Sequence, residues 1–298
     1  MLYLSVHEIA EKWQLSERSV RNYCACGRVP GAVRTGKSWK IPETAQKPER
    51  SNQKAETPKT LLTVLRQEKA GQIRGGIYHR IQIEMTWNSN HIEGSRLTEE
   101  QTRYIYEANT IGASADGAPI SVDDVIETVN HFRCIDLVID LADRPLSEAF
   151  IRRLHRILKT GTEDSRKSWF RVGNYKKMPN EVGMQETTPP EKVHDEIHAL
   201  ISRYEAQTPR TFEALLDFHY RFERIHPFQD GNGRIGRLIL FKECLRFDIV
   251  PFIISDDLKL YYYRGLQEWN REHGYLTDTC LTAQDRMKRY LDYFRIPY

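Results

Sequence analysis

The sequence predicts a mostly helical main domain with one small flap hairpin, preceded by a small N-terminal winged helix-turn-helix domain. Three observations carry that prediction. From Leu61 onward, apolar residues recur at three- and four-residue spacing in one segment after another, the period of a buried helix face. Residues 1–45 instead show two short capped helical segments and a basic hairpin pattern. Between them, residues 43–60 contain no large apolar residue, cannot bury surface, and read as a solvated tether. The expected organisation is therefore a domain over 1–45, a linker over 46–60 and a main domain over 61–298.

Taken in order, Ser5 followed by Glu8 is a capping-box pattern, and Val6, Ile9 and Ala10 share one face of the helix it opens. Ser16 is a second N-cap, for a helix that Gly27 can stop. Thr35-Gly36-Lys37 then suits the turn of a hairpin. In the main domain, Thr98 and Ser121 begin capped helices, the second with Val125, Val129, Phe132 and Ile135 along one face. Phe150, Leu154 and Ile157 form the next stripe. A hairpin fits "WFRVGNYKKMPNEVGMQ", Pro189-Pro190 precede a helix with Val193, Ile197 and Leu200, and Leu215, Phe218, Phe222 and Ile225 build the helix after it.

The 298 residues, 40% apolar and 10% aromatic, can build a sizeable core, which excludes global disorder. The N-terminus has no secretory pattern, and no apolar run approaches membrane-spanning length, so a cytoplasmic protein without a membrane partner is expected. Five scattered cysteines fit free thiols in a reducing compartment rather than a zinc site. Residues 1–48 hold eight Lys/Arg against four Glu, so this segment is +4 and the remainder carries −1 of the total +3. An anionic partner is expected for the N-terminal domain alone. Arg18, Arg21 and Asn22 would project from its second helix, and Arg34, Lys37 and Lys40 from the wing, to meet DNA. A small protein-binding module with an incidental basic face is the other reading.

The chemistry concentrates in "HPFQDGNGRIGR", residues 226–237. Gly231, Asn232 and Gly233 lie at the expected start of a helix, where glycines bring several N–H groups close to a ligand and the dipole favours an anion. Arg234 and Arg237, three apart, can share a face over that anion, which suits a polyphosphate. Asp230 supplies a hard oxygen for Mg²⁺ held jointly with the phosphates. His226 can take a proton from an attacking hydroxyl. With no nucleophilic Ser or Cys in the motif, these parts suggest direct transfer of a phosphorus group by positioning and charge neutralisation.

The motif resembles the signature of the Fic family at every defined position from His226 to Arg237. The resemblance implies an all-α Fic fold that transfers AMP from ATP to a hydroxyl of a target protein and releases pyrophosphate. It implies His226 as general base, Asp230 as Mg²⁺ ligand, and Gly231, Asn232, Gly233, Arg234 and Arg237 as phosphate contacts. "RVGNYKKMPNEVG" resembles the family's flap, with Asn180 where an apolar residue is common and Val182 beside it. "YYYRGLQEWN" is similar to the adenine-contacting helix, with Tyr263 and Asn270 at the matching spacing; core packing is the other reading of the tyrosines. The first forty residues resemble the excisionase-like helix-turn-helix family.

Upstream, Ser89, Glu93 and Gly94 look like the family's inhibitory motif, in a helix expected around 77–94. Ser89 and Glu93 are i, i+4, and a carboxylate against Arg237 would take the place of the γ-phosphate. The expected function is an autoinhibited protein adenylyltransferase with a DNA-binding domain. Removal of AMP from a modified protein, and nucleotide sensing by a transcription regulator, remain alternatives. A homodimer stays open, since paired copies of a helix-turn-helix commonly read paired half-sites.

Overall fold

The computed structural model describes residues 2–25, 27–36, 38–48, 59–112, 119–183, 185–208 and 210–298. The chain divides into two compact units, Met1–Glu56 and Thr57–Tyr298.

In the first unit, strand β1 (Tyr3–Ser5) leads into α1 (Val6–Trp13), followed by α2 (Glu17–Ala25), β2 (Val33–Thr35) and β3 (Ser38–Pro42). Ser5 and Glu8 cap each other's backbone at the start of α1, satisfying two N–H groups that a helix end leaves unpaired. The sheet is antiparallel in the order β1-β3-β2, with Leu4 opposite Ile41 and Arg34 opposite Trp39. The short strand β1 has no counterpart in the sequence expectation; three residues are too few for alternation to announce a strand. Val6, Ile9, Trp13, Val20, Val29 and Ile41 bury one small core. Gly36 turns the β2–β3 hairpin at φ +64°. Arg18, Arg21, Asn22, Arg34 and Lys40 are exposed, and Lys37 lies outside the described residues.

The second unit is helical almost throughout. Its elements are α3 (Leu61–Gly71), α4 (Ile77–Ile92), α5 (Glu99–Ala108), α6 (Val122–Leu141) and α7 (Glu148–Lys159). A two-residue-stranded hairpin, β4 (Glu181–Val182) with β5 (Gln185–Glu186), precedes α8 (Val193–Ala206) and α9 (Phe212–Ile225). Then come α10 (Asn232–Arg246), α11 (Lys259–Glu268) and α12 (Gly274–Tyr293). Side-chain caps from Thr98, Ser121, Ser147 and Thr211 open α5, α6, α7 and α9. The helix α10 is buried along nearly its whole length and packs on α4, α6, α7 and α9. One continuous core joins these helices, including Ile135, Leu154, Phe222, Ile235 and Leu238. Among the described residues no helix is long and apolar enough to cross a membrane.

Candidate active site

The loop between α9 and α10 holds the motif. Its form follows from two left-handed residues, His226 at φ 51° and Gly231 at φ +82°. His226 ends α9, its N–H still bonded to the Phe222 carbonyl at 3.0 Å. The chain then turns at Gly231, the N-cap of α10, a position no side chain caps. Asn232 fixes the loop between them: its side chain accepts from the Phe228 N–H and donates to the Phe228 carbonyl, both at 2.8 Å. Expected as a phosphate contact, Asn232 has its buried amide bonded within the loop, through its oxygen and one of its two N–H groups. The backbone N–H groups of the first turn are left to face an anion.

His226 is largely buried, and burial draws its imidazole down to about 4, with nearby Lys176 acting in the same direction. Its Nδ1 lies 3.3 Å from the Glu223 carbonyl oxygen. An acceptor there requires the proton on Nδ1 and leaves Nε2 as a lone pair, the form a general base needs.

The two arginines do not share one face. Arg234 turns to α6, pairing with Glu127 and lying 3.3 Å from Asp230. Arg237 turns to α4, donating to Ser89 Oγ at 3.0 Å, the Ser89 carbonyl at 2.9 Å and Glu93 Oε1 at 2.6 Å. Burial opposes the Arg237 charge, yet the Glu93 carboxylate more than offsets it and holds the guanidinium firmly protonated. Glu93 caps the C-terminus of α4, and Gly94 follows at φ +100°. The same carboxylate presses on the start of α10, where a Cβ on Gly233 would stand 2.3 Å from Glu93 Oε1. Glycine at 233 is therefore required for this approach. A carboxylate of the chain itself thus lies against the first turn of α10.

Asp230 forms ion pairs with Lys159 at 2.6 Å and with Arg234, both through Oδ2. Burial alone would raise its carboxyl, but Arg234 and Lys159 hold it well below the usual carboxylate range. Oδ1 is committed to neither cation, and the side chain stays 45% exposed. A carboxylate oxygen beside an anion site fits Mg²⁺ bound jointly with phosphates. Among the described residues no group of three or more His, Cys, Asp or Glu could hold a metal on its own.

The remaining expected residues divide. Asn270 bonds the Tyr220 hydroxyl at 2.7 Å and lines a cleft of about 530 Å³ with Thr187, Thr188, Arg221, Arg224 and Ile225. Tyr263 is not in that cleft; its hydroxyl donates to the Ile92 carbonyl at 3.2 Å, at the turn that carries Glu93. Val182 is exposed on β4, whereas Asn180 points inward and donates to the Phe228 carbonyl at 3.0 Å. Sequence reasoning missed Glu127, Lys159, Lys176 and Glu223, which surround the motif from α6, α7, the flap approach and α9. His219 and Glu223, i, i+4 in α9 with His219 among its buried apolar residues, gave a signal that could have been read.

Residues 145–243, about a third of the chain, match the model of the Fic/DOC family. The chain is 28% identical over 195 residues to the Protein adenylyltransferase Fic of Drosophila mojavensis and, similarly, to that of Drosophila virilis. These matches cover 61% of this chain and about a third of the relatives' length. A Fic domain containing signaling protein from Bacteroides thetaiotaomicron superposes with a TM-score of 0.62 at 24% identity, covering 78% of this chain and 94% of that one. Fic-1 from C. elegans, residues 134–508, gives 0.61 at 18% identity over 78% and 72%. The mostly helical second unit thus has the Fic fold.

Proposed function

We propose that the chain is a protein adenylyltransferase held inactive by its own Glu93, with a DNA-binding winged helix-turn-helix as its first unit. The observation that carries the reading is the Glu93 carboxylate seated between Arg237 and Gly233, on the anion site beside a neutral His226.

In the active form Glu93 withdraws and the polyphosphate of ATP lies along the first turn of α10. Arg237 meets the γ-phosphate, while the N–H groups after Gly231 meet the inner phosphates. Asp230 and the phosphates hold Mg²⁺, which, when bound, neutralises charge between them. The target's hydroxyl oxygen attacks the α-phosphorus, and its proton goes to Nε2 of His226. The bond from the α-phosphorus to the bridging oxygen breaks, and pyrophosphate leaves. The burial that keeps His226 unprotonated lets it accept that proton across the physiological pH range. The flap hairpin, with Val182 exposed, presents the target backbone, and the cleft reached by Asn270 accepts the nucleoside.

The experiment is intact-mass analysis of full-length Glu93→Gly protein incubated with ATP, Mg²⁺ and cell lysate. A mass gain of one AMP on any protein, lost again in Glu93→Gly/His226→Ala, supports the reading. Equal labelling of the two variants overturns it.

The exposed Arg18, Arg21, Arg34 and Lys40 support the DNA-binding part. Arg21 is partly neutralised by Glu17 at 2.5 Å, so the wing residues Arg34 and Lys40 carry more of the expected phosphate contact. A gel shift that does not weaken with salt would remove this role.

A further inference from the structure

Lys176 is a buried lysine that the mechanism above does not use. Only 4% of it is exposed, and among the described residues it forms no ion pair. Burial pulls its ammonium down to about 8. An ammonium kept in such a place needs neutral acceptors to replace water. Three are present: Asn180 Oδ1 and Thr187 Oγ1, each at 2.6 Å, and the Ile225 carbonyl at 3.4 Å. The backbone N–H of Lys176 donates in addition to the Pro227 carbonyl at 2.9 Å.

These four bonds join two objects. Ile225 and Pro227 are the residues on either side of His226, so Lys176 grips the catalytic loop before and after the base. Asn180 and Thr187 flank the β4–β5 hairpin and bond each other, the Thr187 hydroxyl lying 2.9 Å from the Asn180 carbonyl. Asn180 then reaches back to the Phe228 carbonyl, closing the ring. The flap has only two residues in each strand, too short to fix its own direction. Its angle relative to His226 is set by this ring, and Lys176 is the member that ties both flap ends to the loop on either side of His226.

We propose that Lys176 is a positioning residue that locks the flap in register with His226, and so sets where a target hydroxyl meets the base. This rests on the reading of His226 as base and of the hairpin as target-presenting flap. A displacement of about 1 Å at such a contact is enough to lower a rate on the order of a hundredfold. Lys176 itself touches neither Glu93 nor Arg237 and does not line the cleft beside Asn270, so ATP binding is expected to be spared when it is replaced.

The test uses the full-length Glu93→Gly protein as parent and adds Lys176→Met. Expected is a tenfold or greater fall in the maximal rate of self-modification, with the KM for ATP within about twofold of the parent. Backbone amides of 179–188 and 225–228 should also exchange hydrogen faster, with other helices unchanged. Asn180→Ala removes one acceptor outside the cleft and leaves no second charge unpaired; it serves if Lys176→Met does not fold and should give the same pattern more weakly. Unchanged exchange in the flap, or a rate that falls only in step with ATP affinity and melting temperature, overturns the proposal. If the parent transfers no AMP, the enzymatic reading fails, and the exchange pattern still decides whether Lys176 sets the flap.

Discussion

Replacing Glu93 by glycine should have two effects of opposite sign. In the free protein, Arg237 is 7% exposed and Glu93 is its only ion-pair partner among the described residues. Removing one member of a buried pair leaves a charge desolvated, at a cost of about 3–5 kcal/mol. Arg237 keeps its bonds to the Ser89 hydroxyl and carbonyl, so the lower end, about 3 kcal/mol, is expected. For a unit of this size that lowers the melting temperature by about 6–12 °C. The same 3 kcal/mol opposes productive ATP binding in the native chain, so its removal should raise productive occupancy roughly a hundredfold. ATP at a hundred times its Kd should then return about 2.7 kcal/mol of stability to Glu93→Gly. The assay is thermal unfolding with and without ATP–Mg²⁺, beside intact-mass measurement of self-modification. A variant whose stability matches the native chain without ATP, or that ATP stabilises no better than it does the native chain, would refute the competition between Glu93 and phosphate.

Three further outcomes are expected. His226→Ala in the Glu93→Gly background abolishes transfer, and the parent's rate stays flat from pH 8 down to about 5. The base, drawn down to about 4 by burial, is unprotonated throughout that range, so a break near pH 6.5 would contradict it. Glu223→Gln should flatten the pH dependence of stability. Burial raises the Glu223 carboxyl to about 8 from 4.5, so the native state holds a proton the unfolded chain has released. Stability is then lost as pH rises between those values, by up to about 1.4 kcal/mol per pH unit; parallel melting curves of variant and native chain from pH 5 to 8 would disprove this. Arg34→Ala and Lys40→Ala should each reduce the slope of log affinity for DNA against log salt by about one, and unchanged slopes would remove the wing from the contact.

Much of this was legible in the sequence because it depends on local rules. Helix starts followed from Thr98 and Ser121, whose side chains cap within three residues. The turn at Gly231 followed from a backbone that only glycine adopts readily. The i, i+4 spacing placed Ser89 and Glu93 on one face, and both reach Arg237. What stayed hidden depends on long-range partners. Glu127 is 107 residues from Arg234, and Lys159 is 71 from Asp230. Neither spacing nor composition says that these charges meet, and so both motif arginines looked free to face one anion. The clamp made by Asn232 was hidden as well, because a buried amide can serve a ligand or its own loop and its bonds to Phe228 depend on a turn that spacing does not announce.

On the proposed reading, the long-range pairs also explain why Glu93 would act as a brake and Glu127 would not. Each motif arginine has an acidic partner from another helix: Glu127 for Arg234 and Glu93 for Arg237. Glu127 lies within α6, a helix of 20 residues, and also holds Lys159. Drawing it away would take one of the carboxylate partners from each of two buried cations and bend a packed helix. Glu93 lies at the last turn of α4, and Gly94 beyond it has open space on the side where a Cβ would stand. Its withdrawal unpairs one arginine, and an incoming phosphate replaces the lost charge at once. The turn is held from α11 by the hydroxyl of Tyr263 on the Ile92 carbonyl and, more loosely, by His91 at 3.5 Å from Asp256. On that reading, release of Glu93 would need only the end of one helix to move, and the phosphate that takes its place beside Arg237 would be the ligand to drive it.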